Sequence, residues 1–166
     1  MEKILFTKEE CEKIISLSNV LEKNIRDDSD RFISYDFYSI GYCEDYKWIF
    51  DRLDSYFTDV TGVSVIKNLG TIHLFDYSVG DKFVRHSDIY YKNQYFNIGV
   101  CLNEDYVGGN FVLYQPEYTI LPKKTGEIYT FEHTIEHEVL EVTEGHRWSL
   151  IGFYFYEHID LKKNLL

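Results

Sequence analysis

From Val63 onward the chain consists of short runs of β-forming residues, each closed by a turn signal. The signals fall at Ser78-Val79-Gly80-Asp81, Asn103-Glu104-Asp105, Gly108-Gly109, Pro116, Pro122 to Gly126 and Thr143-Glu144-Gly145. Turns this closely spaced leave room only for short strands, which is the pattern of an all-β sandwich or barrel. Fifteen Tyr and twelve Phe against two Pro fit it, because aromatic side chains pack well on a pleated, half-buried surface. A chain of 166 residues supports one domain with a substantial core, and is short for two.

The first third reads differently. Thr7 followed by Glu10 is a capping box, and Ile14, Ile15, Leu17, Ser18 and Leu21 continue an apolar stripe, so a helix is expected over 7–25. The polar stretch Asp27 to Asp30 breaks it. Weak alternation over 31–42 predicts a strand. Trp48, Ile49, Leu53, Tyr56, Phe57 and Val60 predict a second helix over 45–60, closed by Thr61-Gly62. The expected architecture is one domain over 1–166. It is mainly β, with helical N-terminal support at about 1–62 packed on a jelly-roll core at about 63–158.

Composition narrows the partners. A net charge of −11, with no run of cationic residues longer than a pair, argues against nucleic acid. No stretch of the sequence matches the ~18 apolar residues of a membrane span, and MEKILFTKEE becomes charged before a signal-peptide core forms. Three widely spaced cysteines, Cys11, Cys43 and Cys101, form no disulfide framework. A cytoplasmic protein acting on a peptide or a small molecule is expected.

Four residues carry the chemistry. In an extended segment His86 and Asp88 point to one face, about 6.5–7 Å apart along the chain, so both can reach one ion. The alternative is a surface turn. His137 shares a face with Val139 in what reads as a strand, so it points inward, as ligand or as core histidine. Two histidines and a carboxylate on one face of a metal leave the opposite positions open, the ligand set of non-haem iron oxygenases. Arg147 opens the run Trp148 to Phe155, which is apolar on both faces and therefore reads as a strand buried on both sides. A buried guanidinium requires an anion: either an acidic side chain or the carboxylate of a ligand, which its planar fork grips with two parallel bonds.

The order of these pieces resembles the prolyl 4-hydroxylase-like branch of the 2-oxoglutarate and iron(II) dioxygenases. The likeness runs from about Thr71 to Phe155. It takes in Tyr77, Gly80 and Phe83, then Arg85-His86-Ser87-Asp88, then VCLNEDYVGGNFVLY at 100–114, then His137-Glu138-Val139, and finally Gly145 and Arg147. The resemblance implies a double-stranded β-helix and an oxygen-dependent hydroxylase that consumes 2-oxoglutarate. It implies that His86, Asp88 and His137 hold iron(II), that Arg147 pairs with the far carboxylate of 2-oxoglutarate, and that Tyr77 lines the co-substrate site. Ascorbate would be an accessory reductant. Asn97, Gly99 and Cys101 would face the co-substrate pocket, where some relatives carry, at the position of Cys101, a tyrosine that bonds the far carboxylate.

Asp88 favours hydroxylation over halogenation, and Phe153 stands where nucleobase demethylases of the superfamily carry a second arginine. The segment 89–96, with Tyr90, Tyr91 and Tyr95, would be an aromatic lid or packing. His73, His133, His146 and His158 fit no part of the pattern. Peptidyl proline is the natural substrate by resemblance. The alternatives are a free amino acid or small metabolite, a cupin-like metalloprotein that does not use 2-oxoglutarate, and a binding module with a vestigial site.

Overall fold

The computed structural model describes residues 3–28, 33–61, 69–89, 94–121 and 123–155. Helix α1 (Lys8–Ser16) starts at the Thr7 capping box, in which Thr7 Oγ1 accepts from the Glu10 N–H and Glu10 accepts from the Thr7 N–H. It ends nine residues before the expected position, passing through a 3-10 turn at Leu17–Asn19 into strand β1 (Lys23–Asp28). β1 was hidden from the sequence because it is a largely exposed strand paired only with its neighbour, so it carries no apolar alternation.

Strand β2 (Ile33–Ile40) pairs antiparallel with β1 and leads to helix α2 (Lys47–Thr61). The remaining strands are β3 (Leu69–Tyr77), β4 (Lys82–His86), β5 (Gln94–Cys101), β6 (Val107–Gly108), β7 (Phe111–Leu113), β8 (Thr119–Ile120), β9 (Ile128–Glu132), β10 (His137–Val139), β11 (Val142–Glu144) and β12 (Arg147–Phe155). The expected mainly-β fold with N-terminal helices is what forms. The N-terminal segment is more than helical support, however, because β2 enters the large sheet between β4 and β3.

That sheet runs β8-β7-β10-β4-β2-β3-β12-β5-β9, antiparallel at every pair, while β6 and β11 form a separate ribbon. It curls into a jelly-roll half-barrel with two contrasting faces. On the outer face Ile40, Ile72, Leu74, Ile98, Val100 and Leu150 pack against Ile14 of α1 and Ile49, Phe50 and Leu53 of α2. On the inner face Tyr35, Phe75, Tyr77, Phe111, Phe131 and Ile151 form a second, mostly aromatic cluster. Period-2 alternation sorts one strand into both: Ile72 and Leu74 face the helices, and Phe75 and Tyr77 the interior. Gly126 ties the N-terminus down. Its φ is +81°, its carbonyl accepts from the Leu5 N–H, and a Cβ there would lie 1.9 Å from the Phe6 carbonyl oxygen.

Candidate active site

The inner face encloses a pocket of about 360 Å³. His86, the last residue of β4, and His137, the first of β10, are direct cross-strand partners, so their rings project to the same side. Asp88 lies just past the end of β4, with its N–H bonded to the His133 carbonyl at 2.9 Å. Its carboxylate reaches both rings: Oδ1 is 3.6 Å from His86 Nε2, and Oδ2 is 3.7 Å from His137 Nε2. One donor atom from each of the three residues lies within 4.8 Å of the others.

The backbone fixes which ring nitrogens are free. His86 Nδ1 donates to the Val84 carbonyl at 2.8 Å, and His137 Nδ1 to the Ile135 carbonyl at 2.9 Å. A carbonyl only accepts, so each Nδ1 carries the proton and each Nε2 keeps a lone pair facing Asp88. Burial and the neighbouring His137 push His86 down to about 4, and burial lowers His137 as well, so both rings are neutral near pH 7. Asn97 Nδ2 donates to Asp88 Oδ2 at 2.5 Å and fixes the carboxylate from β5. The sequence placed Asn97 on this face; only the fold shows what it holds. Two neutral imidazoles and one carboxylate are a donor set suited to iron(II).

At the other end lies Arg147, opposite Tyr77 in the β12–β3 register and 3% exposed. Nη1 donates to Ser149 Oγ at 3.0 Å, the guanidinium sits 5.2 Å from the Tyr77 ring centre, and Nε has no partner. Among the described residues no carboxylate pairs with Arg147. Lys123 adds to the positive field; its ammonium bonds to the Gly108 carbonyl, and burial and then the charge of Arg147 lower its pKa. Burial holds the Tyr77 phenol well above its ordinary range, so it stays protonated. An anionic co-substrate carboxylate fits this end.

The pocket is also lined by Tyr35, His73, Phe75, Ile151 and Phe153, and by Arg26 of β1. His73, which fits no part of the sequence pattern, thus faces the cavity; Ser39 Oγ lies 3.3 Å from its Nδ1, and burial lowers its pKa. Cys101 is buried, with Sγ directed at the Asn103 carbonyl. His146 instead pairs with Asp76 at 3.0 Å, and neither lines this pocket. Tyr90, Tyr91, the Tyr95 side chain and His158 lie outside the described residues; of the expected lid over 89–96, the last three residues open β5 and 90–93 are outside the described residues.

A jelly roll that closes around two histidines and an aspartate at one end and a buried arginine at the other is the architecture of a 2-oxoglutarate oxygenase. The chain belongs to the 2OG-Fe(II) oxygenase superfamily, whose family model matches residues 72–155. No curated protein matches it by sequence. Among solved structures it is similar to a 2OG-Fe(II) oxygenase family oxidoreductase from Burkholderia pseudomallei, with 17% identity, 92% of this chain and 81% of that one covered, and a TM-score of 0.76. A prolyl-4-hydroxylase from Pseudomonas putida follows at 15% identity, 95% and 92% coverage and a TM-score of 0.74. A Trichoplax adhaerens prolyl hydroxylase, in complex with a hypoxia inducible factor oxygen degradation domain peptide fragment, follows at 17% identity, 89% and 76% coverage and a TM-score of 0.70. At these identities the likeness is one of fold.

Proposed function

We propose that this chain is a hydroxylase in which His86, Asp88 and His137 hold iron(II), Arg147 grips the far carboxylate of 2-oxoglutarate, Tyr77 walls the co-substrate site, and peptidyl proline is the substrate. The observation that carries the reading is the buried guanidinium of Arg147. It lacks a carboxylate partner among the described residues and lines the same pocket as the three candidate ligands. A buried charge left alone costs several kcal/mol, and a ligand carboxylate offsets that cost.

The chain's own residues act by placement. The Val84 and Ile135 carbonyls hold both imidazoles with Nε2 turned inward, and Asn97 holds Asp88 in reach of both. The aromatic wall of Tyr35, Phe75, Phe111 and Phe131 limits water around the reacting groups. Iron(II), when bound, supplies the redox chemistry that couples dioxygen to decarboxylation of 2-oxoglutarate. The apolar wall of Phe75, Ile151 and Phe153 and a His73 that burial keeps neutral suit a compact uncharged ring. The prolyl hydroxylases among the structural neighbours support proline, and the one solved with a peptide fragment supports a peptide. A reducing compartment fits three free cysteines and a ferrous ion, so we place the protein in the cytoplasm, acting on a peptide rather than a nucleic acid.

The test is anaerobic titration of iron-loaded protein with 2-oxoglutarate, followed by aerobic incubation with proline-containing peptides. The expected results are a visible charge-transfer band, succinate release, and a peptide that gains one oxygen atom. Iron binding with no band at any 2-oxoglutarate concentration would sink the reading and favour a metalloprotein that does not use this co-substrate.

A further inference from the structure

Four arginines are among the described residues, and they divide by place. Arg52 and Arg85 do not line the pocket, and each is paired with a glutamate: Arg52 Nη2 lies 2.8 Å from Glu10 Oε1, and Arg85 pairs with Glu136. Arg147 and Arg26 do line it, and among the described residues no carboxylate pairs with either. Arg147 belongs to the co-substrate end. The proposed reaction gives Arg26 no task.

Strand register explains how Arg26 arrives. It is the cross-strand partner of Tyr35, whose ring belongs to the inner cluster, so β1 turns Arg26 to the same face. Its guanidinium sits 5.9 Å from the Phe83 ring centre, and Phe83 lies face to face with His86 at 3.8 Å between ring centres. Arg26 is nonetheless exposed, so it stands where the pocket meets solvent, close to a candidate metal ligand. Attraction to an aromatic face restrains a long cationic side chain, and a group already held in place loses less freedom on binding. A planar fork held there suits a carboxylate, which it meets with two parallel bonds.

We propose that Arg26 is a specificity-determining residue that binds a carboxylate of the substrate, so that the enzyme selects a proline with an acid group beside it. The inference rests on the reading under Proposed function and narrows its substrate class. Neighbouring residues of an extended peptide are about 3.3 Å apart along the chain, so an acidic side chain flanking the proline reaches the guanidinium while the ring faces the metal. A peptide that ends at the proline offers the same chemistry through its terminal carboxylate. The net charge of −11 repels acidic peptides at long range. Charges more than about 8 Å away are largely screened at physiological salt, however, so the local cation decides.

The experiment is anaerobic calorimetric titration of the full chain, loaded with iron(II) and 2-oxoglutarate, for wild type, Arg26→Gln and Arg26→Glu. Three probes are end-blocked alanine peptides with a central proline flanked on both sides by glutamate, glutamine or lysine. A fourth is an alanine peptide that ends in proline with a free carboxylate. Wild type should bind the glutamate peptide or the free-carboxylate peptide about tenfold more tightly than the glutamine peptide, the size of one charge-assisted bond. Which of the two gains identifies the source of the carboxylate. Arg26→Gln should erase that preference, and Arg26→Glu should turn it toward the lysine peptide, a reversal that a merely structural residue does not produce. Equal wild-type affinity for all four peptides overturns this inference alone, and so does a preference that survives in Arg26→Gln. A uniform loss across the peptides in both variants also overturns it, by marking Arg26 as packing on Phe83. Wild type that takes up 2-oxoglutarate but no peptide overturns the peptide substrate and this inference with it, and wild type that takes up neither overturns the function. Formation of the 2-oxoglutarate charge-transfer band by each variant shows that it is folded.

Discussion

The two faces of the large sheet are made by the same strands and follow opposite rules. Toward the helices, Ile72, Leu74, Ile98, Val100 and Leu150 are buried, apolar and without polar tasks. Toward the interior, the neighbouring positions on those strands are Tyr77, Asn97, Gly99, Arg147 and Ser149, which are polar, small or charged. The outer face resolves its energetics within the chain: its apolar side chains pack on the helices, and its buried carboxylate, Asp76, pairs with His146. The inner face leaves a cation without a carboxylate among the described residues and two lone pairs pointing at a carboxylate. That contrast teaches where a ligand belongs: stability is built on one face, and the cost of function is stored on the other.

The comparison can be broken most severely at the metal end. Asp88→Ala should remove iron binding and take succinate release to background, while thermal unfolding of the metal-free protein changes little. Metal analysis after anaerobic loading reads the first effect, and a melt the second. Substantial unfolding would mean that Asp88 is structural.

Next in size is Arg147→Met. Exchanging a buried unpaired charge for an apolar side chain of similar length should stabilise the ligand-free protein by about 1–4 kcal/mol. Losing the charged grip, worth about 3–5 kcal/mol, should weaken 2-oxoglutarate binding by roughly two to four orders of magnitude, at about 1.4 kcal/mol per tenfold. Denaturant melts and the anaerobic titration measure the two signs separately. A variant that lost both stability and affinity would show that the guanidinium already has its partner.

Leu74→Ala tests the outer face and should do the reverse. It should cost about 2–5 kcal/mol in unfolding free energy and leave the 2-oxoglutarate Kd within about twofold, since additivity holds for side chains that share no partners. A large change in affinity would deny that the two faces are separable.

The smallest effect concerns pH. Burial holds His73 below its ordinary 6.5 in the folded protein. Above that value both states are neutral and His73 contributes nothing. As pH falls below it the unfolded chain takes up the proton first, so stability declines until the folded pKa is passed. His86 and His137 add the same sign when no metal is bound. His73→Phe should therefore shallow, without abolishing, the loss of stability of metal-free protein on the acid side of 6.5. An unchanged slope in urea melts across that range would place His73 in contact with water.

Much of this was legible in the sequence because it is local or periodic. The Thr7–Glu10 capping box needs only four consecutive residues, and it formed as read. The alternation that sets His137 and Val139 on one face needs only a strand, and both are buried. Strand β1 was not legible, because Lys23 to Asp28 is a mostly exposed run whose pairing is decided by β2 and not by its own pattern. His73 was set aside because it matches no part of the family pattern, although period 2 puts it on the face of Phe75 and Tyr77, and all three line the cavity.

The sequence by itself determined the residue types, the order in which they arrive and the face each takes on its own strand. These follow from spacing, and spacing is fixed by backbone geometry. Only the tertiary structure decided who meets whom. His137 stands opposite His86 although the two are 51 positions apart in the chain, Asn97 reaches back to Asp88, and Tyr129 of β9 lies across from Gly99 of β5. Such meetings depend on how far the sheet curls and in which register its strands pair. That is set by packing summed over both faces, which no short window of sequence contains.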